Sequence, residues 1–221
     1  MHYLADPDAI MDHAAKTIRA EIDLSAYPPY LRGVVARLVY ACGDSSIADD
    51  LRWGGDVRAA TVRALAAPAP RLIIDSRMVR AGIAQSLIPS HLRILGLLDA
   101  PDLCARQKAL ATTRSAAGMD AVRDHLGGAL VVIGNAPTAL FHLLTMLETL
   151  QKKPAALFAF PVGYTGAAES KQALIERAGT IPYITLCGRR GGSPLAAAAL
   201  NASLPSGPIT GDKKLFYNTS G

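Results

Sequence analysis

Residues 129–150 read ALVVIGNAPTALFHLLTMLETL, and this stretch decides the fold of the 221-residue chain. Its first five residues form a continuous apolar run, which is typical of a strand that is buried on both faces of a sheet. Gly134 and Asn135 then predict a turn, and Pro137 suits the first turn of a helix that runs to the end of the stretch. Residues 127–147 contain no Asp, Glu, Lys or Arg, but the change of pattern at Asn135 favours a strand and a helix over a membrane span.

The same alternation of short apolar runs and amphipathic segments continues along the chain. We expect an α/β fold with a mostly parallel sheet and helices on both faces, a three-layer αβα arrangement with the N-terminal helices packed alongside. Residues 1–204 are predicted to form one domain, and residues 205–221 a C-terminal tail that is partly mobile. The predicted strands are 72–74, 91–98, 129–133, 155–160 and 182–186, and the predicted helices are 8–22, 29–42, 56–66, 76–82, 114–126, 137–150, 169–178 and 192–204, with an irregular helical stretch at 99–110.

The composition excludes several classes of protein. Hydrophobic residues make up 50% of the chain and charged residues 19%, which does not fit a disordered, collagenous or coiled-coil chain. The formal net charge is +5, and 16 of the 23 basic residues are arginine. Scattered arginine favours recognition of carboxylate or phosphate groups on a small polyanion, although an Arg-rich composition without a ligand is the simpler alternative. We expect neither nucleic acid nor a membrane as a partner.

The cysteines and the N-terminal sequence indicate a reducing compartment. Cys42, Cys104 and Cys187 are odd in number and widely spaced, so a disulfide framework is not expected. The first eight residues, MHYLADPD, lack the basic and apolar regions of a signal peptide. We therefore expect a cytoplasmic protein.

Polar, glycine-rich loops follow three successive predicted strands. They are GNAPT at 134–138, PVGYTGAAESK at 161–171 and GRRGGS at 188–193. Because the carboxyl ends of parallel strands meet at one edge of a sheet, where helix N-termini also point, we expect the three loops to form one ligand site. A fourth segment, TTRSAA at 112–117, opens a helix in the same way and adds a cation. Taken alone, each loop is better explained as a capped turn or a simple connector, and only the convergence of the three favours a ligand site.

The remaining polar residues argue against several kinds of catalytic site. The five histidines form no HxH or HxxxH pair, so no metal site is expected, and His13 is expected to be an ordinary surface residue. The chain has no dinucleotide or Walker fingerprint, and Ser115 and Ser193 do not lie in a nucleophile elbow. Asp49 and Asp50 are expected to lie in solvent. These patterns favour a reaction without a cofactor, or simple binding.

Several of these segments together resemble the precorrin-8X methylmutase family, also called the precorrin isomerases. The resemblance extends from Tyr3 to about Leu204, and the similar runs occur in the same order as in the family. Those runs are TRSAA at 113–117, GNAPTAL at 134–140, PVG at 161–163, GAAESK at 166–171, GRRGGS at 188–193 and AAALN at 197–201.

The resemblance implies a homodimer with an α/β fold that carries out a step of corrin (vitamin B12) biosynthesis. The family moves a methyl group between adjacent carbons of ring C of precorrin-8X, giving hydrogenobyrinate or its cobalt counterpart, and no external cofactor is implied. The chain must then bind a flexible polycarboxylate macrocycle and place a proton donor near ring C. By the resemblance, the donor position is held by Tyr40, and the substrate-binding residues are Ala14, Arg37, Arg114, Ser115, Gly134, Asn135, Thr138, Lys171 and Arg189.

Tyr40 is a departure from the family's pattern. The family's second helix resembles Arg-x-Val-His-Ala-x-Gly, with the histidine as proton donor, whereas residues 37–43 of this chain read RLVYACG. A free phenol has a pKa of about 10 and a free imidazole one of about 6.5, so the phenol is the weaker acid by about 4.8 kcal/mol. Ala14 is a second departure, because a polar contact to the substrate is expected at its position on the first helix.

Three interpretations of Tyr40 stay open from the sequence. Tyr40 donates the proton in a slower methylmutase, or it is a lesion in a protein that binds substrate but hardly turns it over. In the third interpretation the chain is a paralogue that binds a corrinoid or another tetrapyrrole without isomerising it, or that acts on another macrocycle. A nucleotide-binding Rossmann-like domain is a weaker alternative, since the fingerprint is absent.

Overall fold

A six-stranded sheet lies at the centre of the computed structural model, which describes residues 3–205 and 215–216. The strand order is β1-β6-β5-β4-β2-β3. All neighbouring pairs from β6 to β3 are parallel, and only the edge strand β1 runs antiparallel to its neighbour within the described residues. The strands are β1 (Leu51–Gly54), β2 (Arg71–Ile74), β3 (Arg93–Gly96), β4 (Leu130–Ile133), β5 (Ala156–Ala159) and β6 (Tyr183–Leu186).

The helices connect the strands and cover the sheet. They are α1 (Pro7–Glu21), α2 (Pro29–Cys42), α3 (Ile47–Asp50), α4 (Val57–Leu65), α5 (Arg77–Gly82), α6 (Leu103–Ala109), α7 (Arg114–Ala121), α8 (Pro137–Leu147), α9 (Ala167–Arg177) and α10 (Ser193–Ser203). Short 3₁₀ turns occur at Leu24–Ala26, Gln85–Leu87, Leu97–Asp99 and Arg123–His125.

Alternate residues of each parallel strand enter two different hydrophobic cores. In β4, Leu130 and Val132 belong to one core with α2, α4, α5 and α10, whereas Val131 and Ile133 belong to the other with α7, α8 and α9. This is the expected consequence of the two-residue period of a strand that is buried on both faces. The three-layer αβα fold predicted from the sequence is confirmed, with α1 and α2 packed on one side.

Helix α10 lies between the sheet and α2 and is buried almost all round. Its run of small side chains allows this close packing, because bulky residues on every side would hold the neighbouring elements apart. Gly82 at the end of α5 illustrates the tightness: a Cβ atom there would lie 2.7 Å from the Cβ of Ala197.

The ends of the N-terminal helices follow from local capping signals. The Asp6 carboxylate accepts the backbone N–H of Ala9 at 3.1 Å, and Pro7 begins α1. Helix α2 ends at Gly43, which adopts a left-handed conformation with φ +69°. The predicted bounds of α2 agree with the structure, and those of α1 agree to within one residue at each end.

The sequence did not predict β1, and helix 114–126 is shorter than predicted. β1 is only four residues long, LRWG, which is too short for a clear periodic signal, and it pairs with β6, which lies much later in the chain. Helix α7 ends at Ala121 and a 3₁₀ turn follows. The predicted partial mobility of the tail at 205–221 falls outside the described residues except for residues 205, 215 and 216.

Candidate active site

The three predicted loops lie together at the carboxyl edge of the sheet. β4, β5 and β6 are parallel neighbours, so the segments that follow them begin side by side. Backbone hydrogen bonds join two of these loops: the N–H of Gly192 donates to the carbonyl of Phe160 at 2.7 Å, and that of Gly163 donates to Arg189 at 3.3 Å. The prediction that the loops share one edge is confirmed.

Asp75 directly follows β2 and holds the loop that follows β4. One carboxylate oxygen accepts the N–H of Gly134 at 3.0 Å, and the other accepts those of Asn135 at 2.7 Å and Ala136 at 2.9 Å. Burial raises the pKa of the Asp75 carboxyl, although the three N–H donors oppose this. Sequence reasoning missed Asp75; the available signal was an acidic residue at the exit of an apolar strand.

Gly134 lies where the first turn of α10 approaches the loop after β4. A Cβ atom at Gly134 would lie 2.6 Å from the Cα of Ser193 and 2.8 Å from Cγ2 of Val79. The Ser193 hydroxyl is in turn 3.0 Å from the hydroxyl of Ser76, which caps α5. Because Gly134 has no side chain, Val79 of α5 and Ser193 of α10 can pack directly against the loop after β4.

Four of the predicted substrate-binding residues lie at the adjoining N-termini of α7 and α8. Thr113 caps α7, and its hydroxyl lies 2.7 Å from that of Thr138 in the first turn of α8. Arg114 and Ser115 are the first two residues of α7, and Asn135 is exposed just before α8. Two helix N-termini beside an exposed arginine form an environment that favours anionic groups.

Lys171 lies beneath the loop after β6. Its side chain is fully buried, and its ammonium donates a hydrogen bond to the carbonyl of Arg190 at 2.5 Å. Burial lowers the pKa of Lys171 to about 8. The geometry therefore supports a role for Lys171 in holding this loop, and its substrate-binding role stays a prediction.

The buried position of Lys171 predicts a specific pH dependence of stability. Because its pKa is lowered to about 8 on folding, the unfolded chain binds more protons between pH 8 and about 10.5, and stability rises with pH in that window. We expect wild type to gain up to about 3 kcal/mol relative to Lys171→Met across it. Urea unfolding of both proteins from pH 7 to 10.5 measures the difference; parallel pH profiles would contradict it.

Arg190 ties the loop after β6 to the segment between α2 and β1. Its guanidinium contacts the carboxylate of Asp50 at 2.5 Å and that of Asp44 at 2.9 Å, and donates to the Ser46 hydroxyl at 2.8 Å. Asp49 is exposed, as expected, whereas Asp50 is partly buried because it pairs with a cation distant in sequence. Hydrogen bonds from Ser46, reinforced by Arg190, lower the pKa of the Asp44 carboxyl.

Arg189 points to a different neighbour than Arg190 does. Its guanidinium carbon lies 5.2 Å from the ring centroid of Tyr164, which is 87% exposed. Phe141 and Val162 are also exposed, at 38% and 40%. The rim of the site thus carries an exposed arginine together with apolar surface, a combination typical of binding surfaces.

Tyr40 lies near the end of α2 between a cation and an aromatic ring. The guanidinium carbon of Arg37 is 5.4 Å from the centroid of the Tyr40 ring, and the centroid of Phe216 is 5.0 Å away. Tyr40 remains 38% exposed. It faces a cavity of about 330 Å³ that is also lined by His13 and Ala14 of α1.

The described residues thus place the predicted site residues in two groups. Ala14 and Tyr40 line one cavity, whereas Arg114, Ser115, Asn135 and Thr138 lie at the helix N-termini of the sheet edge. The segment at 43–46 connects the Tyr40 cavity to the loop after β6, because residues 43–45 line the cavity and residues 44 and 46 bind Arg190.

Two further properties bear on the kind of protein. Within residues 3–205 and 215–216, no helix is long and apolar enough to cross a membrane. The three cysteines are free thiols.

Comparison with known proteins covers almost the whole chain. The model of the precorrin-8X methylmutase family matches residues 9–205. A protein of Pseudomonas aeruginosa named precorrin-8X methylmutase is 45% identical over 200 residues, covering 90% of this chain and 96% of that protein. A cobalt-precorrin-8 methylmutase of Methanocaldococcus jannaschii is 32% identical over 169 residues, covering 76% of each chain.

Solved structures agree in fold. The structure described as a precorrin-8X methyl mutase from Thermus thermophilus is 29% identical, covers 96% of this chain and 100% of that one, and has a TM-score of 0.78. A second structure, of a precorrin-8X methylmutase related protein, is 32% identical with a TM-score of 0.74 over 85% of this chain and 96% of that one. This chain belongs to the precorrin-8X methylmutase family.

Proposed function

We propose that this protein is an isomerase of corrin biosynthesis that acts on precorrin-8X. It moves a methyl group within ring C and yields hydrogenobyrinate or, from the cobalt-containing substrate, its cobalt form. The observation that carries the proposal is the match at 45% identity over 90% of the chain to a protein named precorrin-8X methylmutase. The reaction is an internal rearrangement, so its atoms balance without a cofactor, and none is proposed.

The carboxylate arms of the substrate are proposed to bind at the N-termini of α7 and α8. Arg114 supplies a full charge and Ser115 and Thr138 supply hydroxyls, while the helix N-termini present backbone donors toward the same anions. Asn135, held by Asp75 through its backbone, adds an exposed amide. Arg189 at the rim and Arg37 beside Tyr40 are further partners for these arms.

Arg114→Met is expected to weaken substrate binding without slowing the chemical step. Loss of one charge-assisted contact at a partly exposed site corresponds to an increase in KM of about tenfold, with kcat within about twofold of wild type. The matched control is Arg177→Met, because Arg177 is exposed at the end of α9 and pairs with Glu148. Steady-state kinetics on precorrin-8X measure both constants, and a KM unchanged in Arg114→Met would contradict the assignment.

Tyr40 is proposed as the proton donor. Its ring is positioned by Phe216 and Arg37, and it is partly exposed toward the cavity that Ala14 lines. His13 is the other protonatable group that we consider, since it lines the same cavity from α1. The variants Tyr40→Phe and His13→Gln distinguish the two: the donor is the group whose loss lowers kcat with little change in KM.

We also propose that the protein is a homodimer in the cytoplasm. The exposed Phe141, Val162 and Tyr164 support dimerisation, because exposed apolar side chains gathered near one edge are typical of an interface. The three free thiols support a reducing compartment. Sedimentation velocity over a range of concentrations tests the dimer, and a monomer at all concentrations would contradict it.

A corrinoid-binding protein without catalytic activity is the second candidate, and one observation favours it. The phenol at the position of the family's histidine is the weaker acid by about 4.8 kcal/mol, while the loops of the sheet edge are retained. Incubation with precorrin-8X separates the two functions, because the isomerase produces hydrogenobyrinate and the binding protein retains the unchanged substrate.

A further inference from the structure

A second cavity opens at the amino edge of the sheet, opposite the candidate active site. It has a volume of about 460 Å³ and lies where β2, β4 and β5 begin. Each strand has four residues, so this amino-edge cavity is about 13 Å or more from the loops at the carboxyl edge. Its charged lining residues are Arg63, Arg71 and Lys152, and the described residues contribute no carboxylate to its walls.

Arg71 lines the amino-edge cavity and has a donor without an acceptor. Its Nη2 donates to the carbonyl of Gly127 at 3.1 Å, but its Nε is buried and has no hydrogen-bond partner in the described part of the chain. A buried donor left unpaired is costly. The cavity is thus lined by a guanidinium whose hydrogen-bonding capacity the described residues do not fill.

Lys152 and Arg63 line the same cavity from exposed positions. Both are exposed, and neither forms an ion pair or a side-chain hydrogen bond with another described residue. The side chain of Lys152 packs against the backbone of Gly127 and Gly128. Its Nζ lies 3.4 Å from the position that a Cβ atom of Gly128 would occupy. Gly128 has φ +76°, so the turn at residues 127–128, on which Lys152 packs, also favours glycine for conformational reasons.

The balance of charge in the cavity is positive. The carboxyl end of α4 at Leu65 points toward this region and contributes a partial negative charge of about 0.5. Three full positive charges outweigh it. The other walls are alanines and Pro68, which offer apolar surface to the body of a ligand.

We propose that the amino-edge cavity binds a small organic oxyanion with at least two negative charges. Its charged group lies between Arg71 and Lys152 near Arg63, and its apolar part rests on the alanines. The volume falls within the range of small-molecule sites. The charged group is a phosphate or a set of carboxylates, since arginine and lysine recognise both. The site is separate from the proposed isomerase site and stands independently of that activity.

Isothermal titration calorimetry of the full chain at low salt tests the site with three probes: inorganic phosphate, AMP and citrate. We expect at least one probe to bind with a Kd below about 1 mM. Binding of AMP but not citrate identifies a phosphate ligand, and binding of citrate but not AMP identifies a polycarboxylate. Loss of the two exposed lining charges in Arg63→Met/Lys152→Met is expected to weaken binding about tenfold or more.

Arg93→Met is the matched control for that double variant. Arg93 is an exposed arginine at the same edge, paired in register with Arg71, and it does not line the cavity. We expect its loss to change the Kd less than about twofold, and we expect all these variants to keep wild-type turnover of precorrin-8X. The proposal is overturned if no probe binds wild type at millimolar concentration, or if the double variant binds as tightly as wild type.

Discussion

Asp75→Ala is expected to lower the free energy of unfolding by about 3 kcal/mol or more and to abolish substrate binding at the loop after β4. The variant leaves the N–H groups of Gly134, Asn135 and Ala136 without their acceptor. An unsatisfied buried donor costs about 1–3 kcal/mol, and at least two of the three are buried. Relief from burying a carboxylate offsets part of this cost, which is why the expected value lies at the lower end of the sum.

Urea unfolding measures the effect of Asp75→Ala on stability, with Asp56→Ala as the matched control. Asp56 caps α4 and accepts one backbone N–H, from Ala59 at 2.8 Å, so its loss is expected to cost only about 1 kcal/mol. Asp75→Asn gives a third comparison, because its amide places a donor where the carboxylate accepted N–H groups. Equal destabilisation by the two alanine variants would contradict the anchoring role of Asp75.

Tyr40→His is expected to raise kcat on precorrin-8X by about 10²-fold. General acid catalysis contributes about 10²–10⁴ in rate, and for the free groups the imidazolium form of His is a stronger acid than the Tyr phenol by about 3.5 pKa units. The lower end of this range is expected because the Arg37 guanidinium, 5.4 Å from the ring position, opposes a positive charge on the imidazole. Single-turnover kinetics at saturating protein measure the chemical step directly.

Tyr40→Phe provides the control for that gain. It keeps the ring that packs on Phe216 and removes only the hydroxyl. If Tyr40 donates the proton, Tyr40→Phe has a much lower kcat than wild type and about the same KM. If Tyr40→His and Tyr40→Phe both turn over at the wild-type rate, the donor lies elsewhere, and the result for His13→Gln then decides whether it is His13.

The sequence was sufficient to predict features that depend on local pattern. The buried strand at 129–133, the cap at Gly43 and the three loops that follow β4, β5 and β6 are each encoded within a few residues. Their convergence followed from one general property of parallel sheets, that the carboxyl ends of the strands share an edge.

The features that the sequence did not predict depend on which segments become neighbours. Asp75 can hold the loop at 134–136 only because β2 lies beside β4, and no local pattern states that order. Arg190 reaches Asp50 because β1 pairs with β6 at the sheet edge. Phe216 packs on Tyr40 from the opposite end of the chain. Contacts of this kind depend on the order of the strands in the sheet, and sequence periodicity does not determine that order.

The most direct measurement is incubation of purified wild-type protein with precorrin-8X at a hundredfold molar excess of substrate. The product is an isomer of the substrate, so it is identified by its absorbance spectrum and chromatographic retention against authentic hydrogenobyrinate. We expect conversion of many substrate molecules per protein molecule, at a rate that Tyr40→His increases. Tight binding of unchanged precorrin-8X by both proteins would contradict the isomerase assignment, and absence of binding would also contradict the corrinoid-binding alternative.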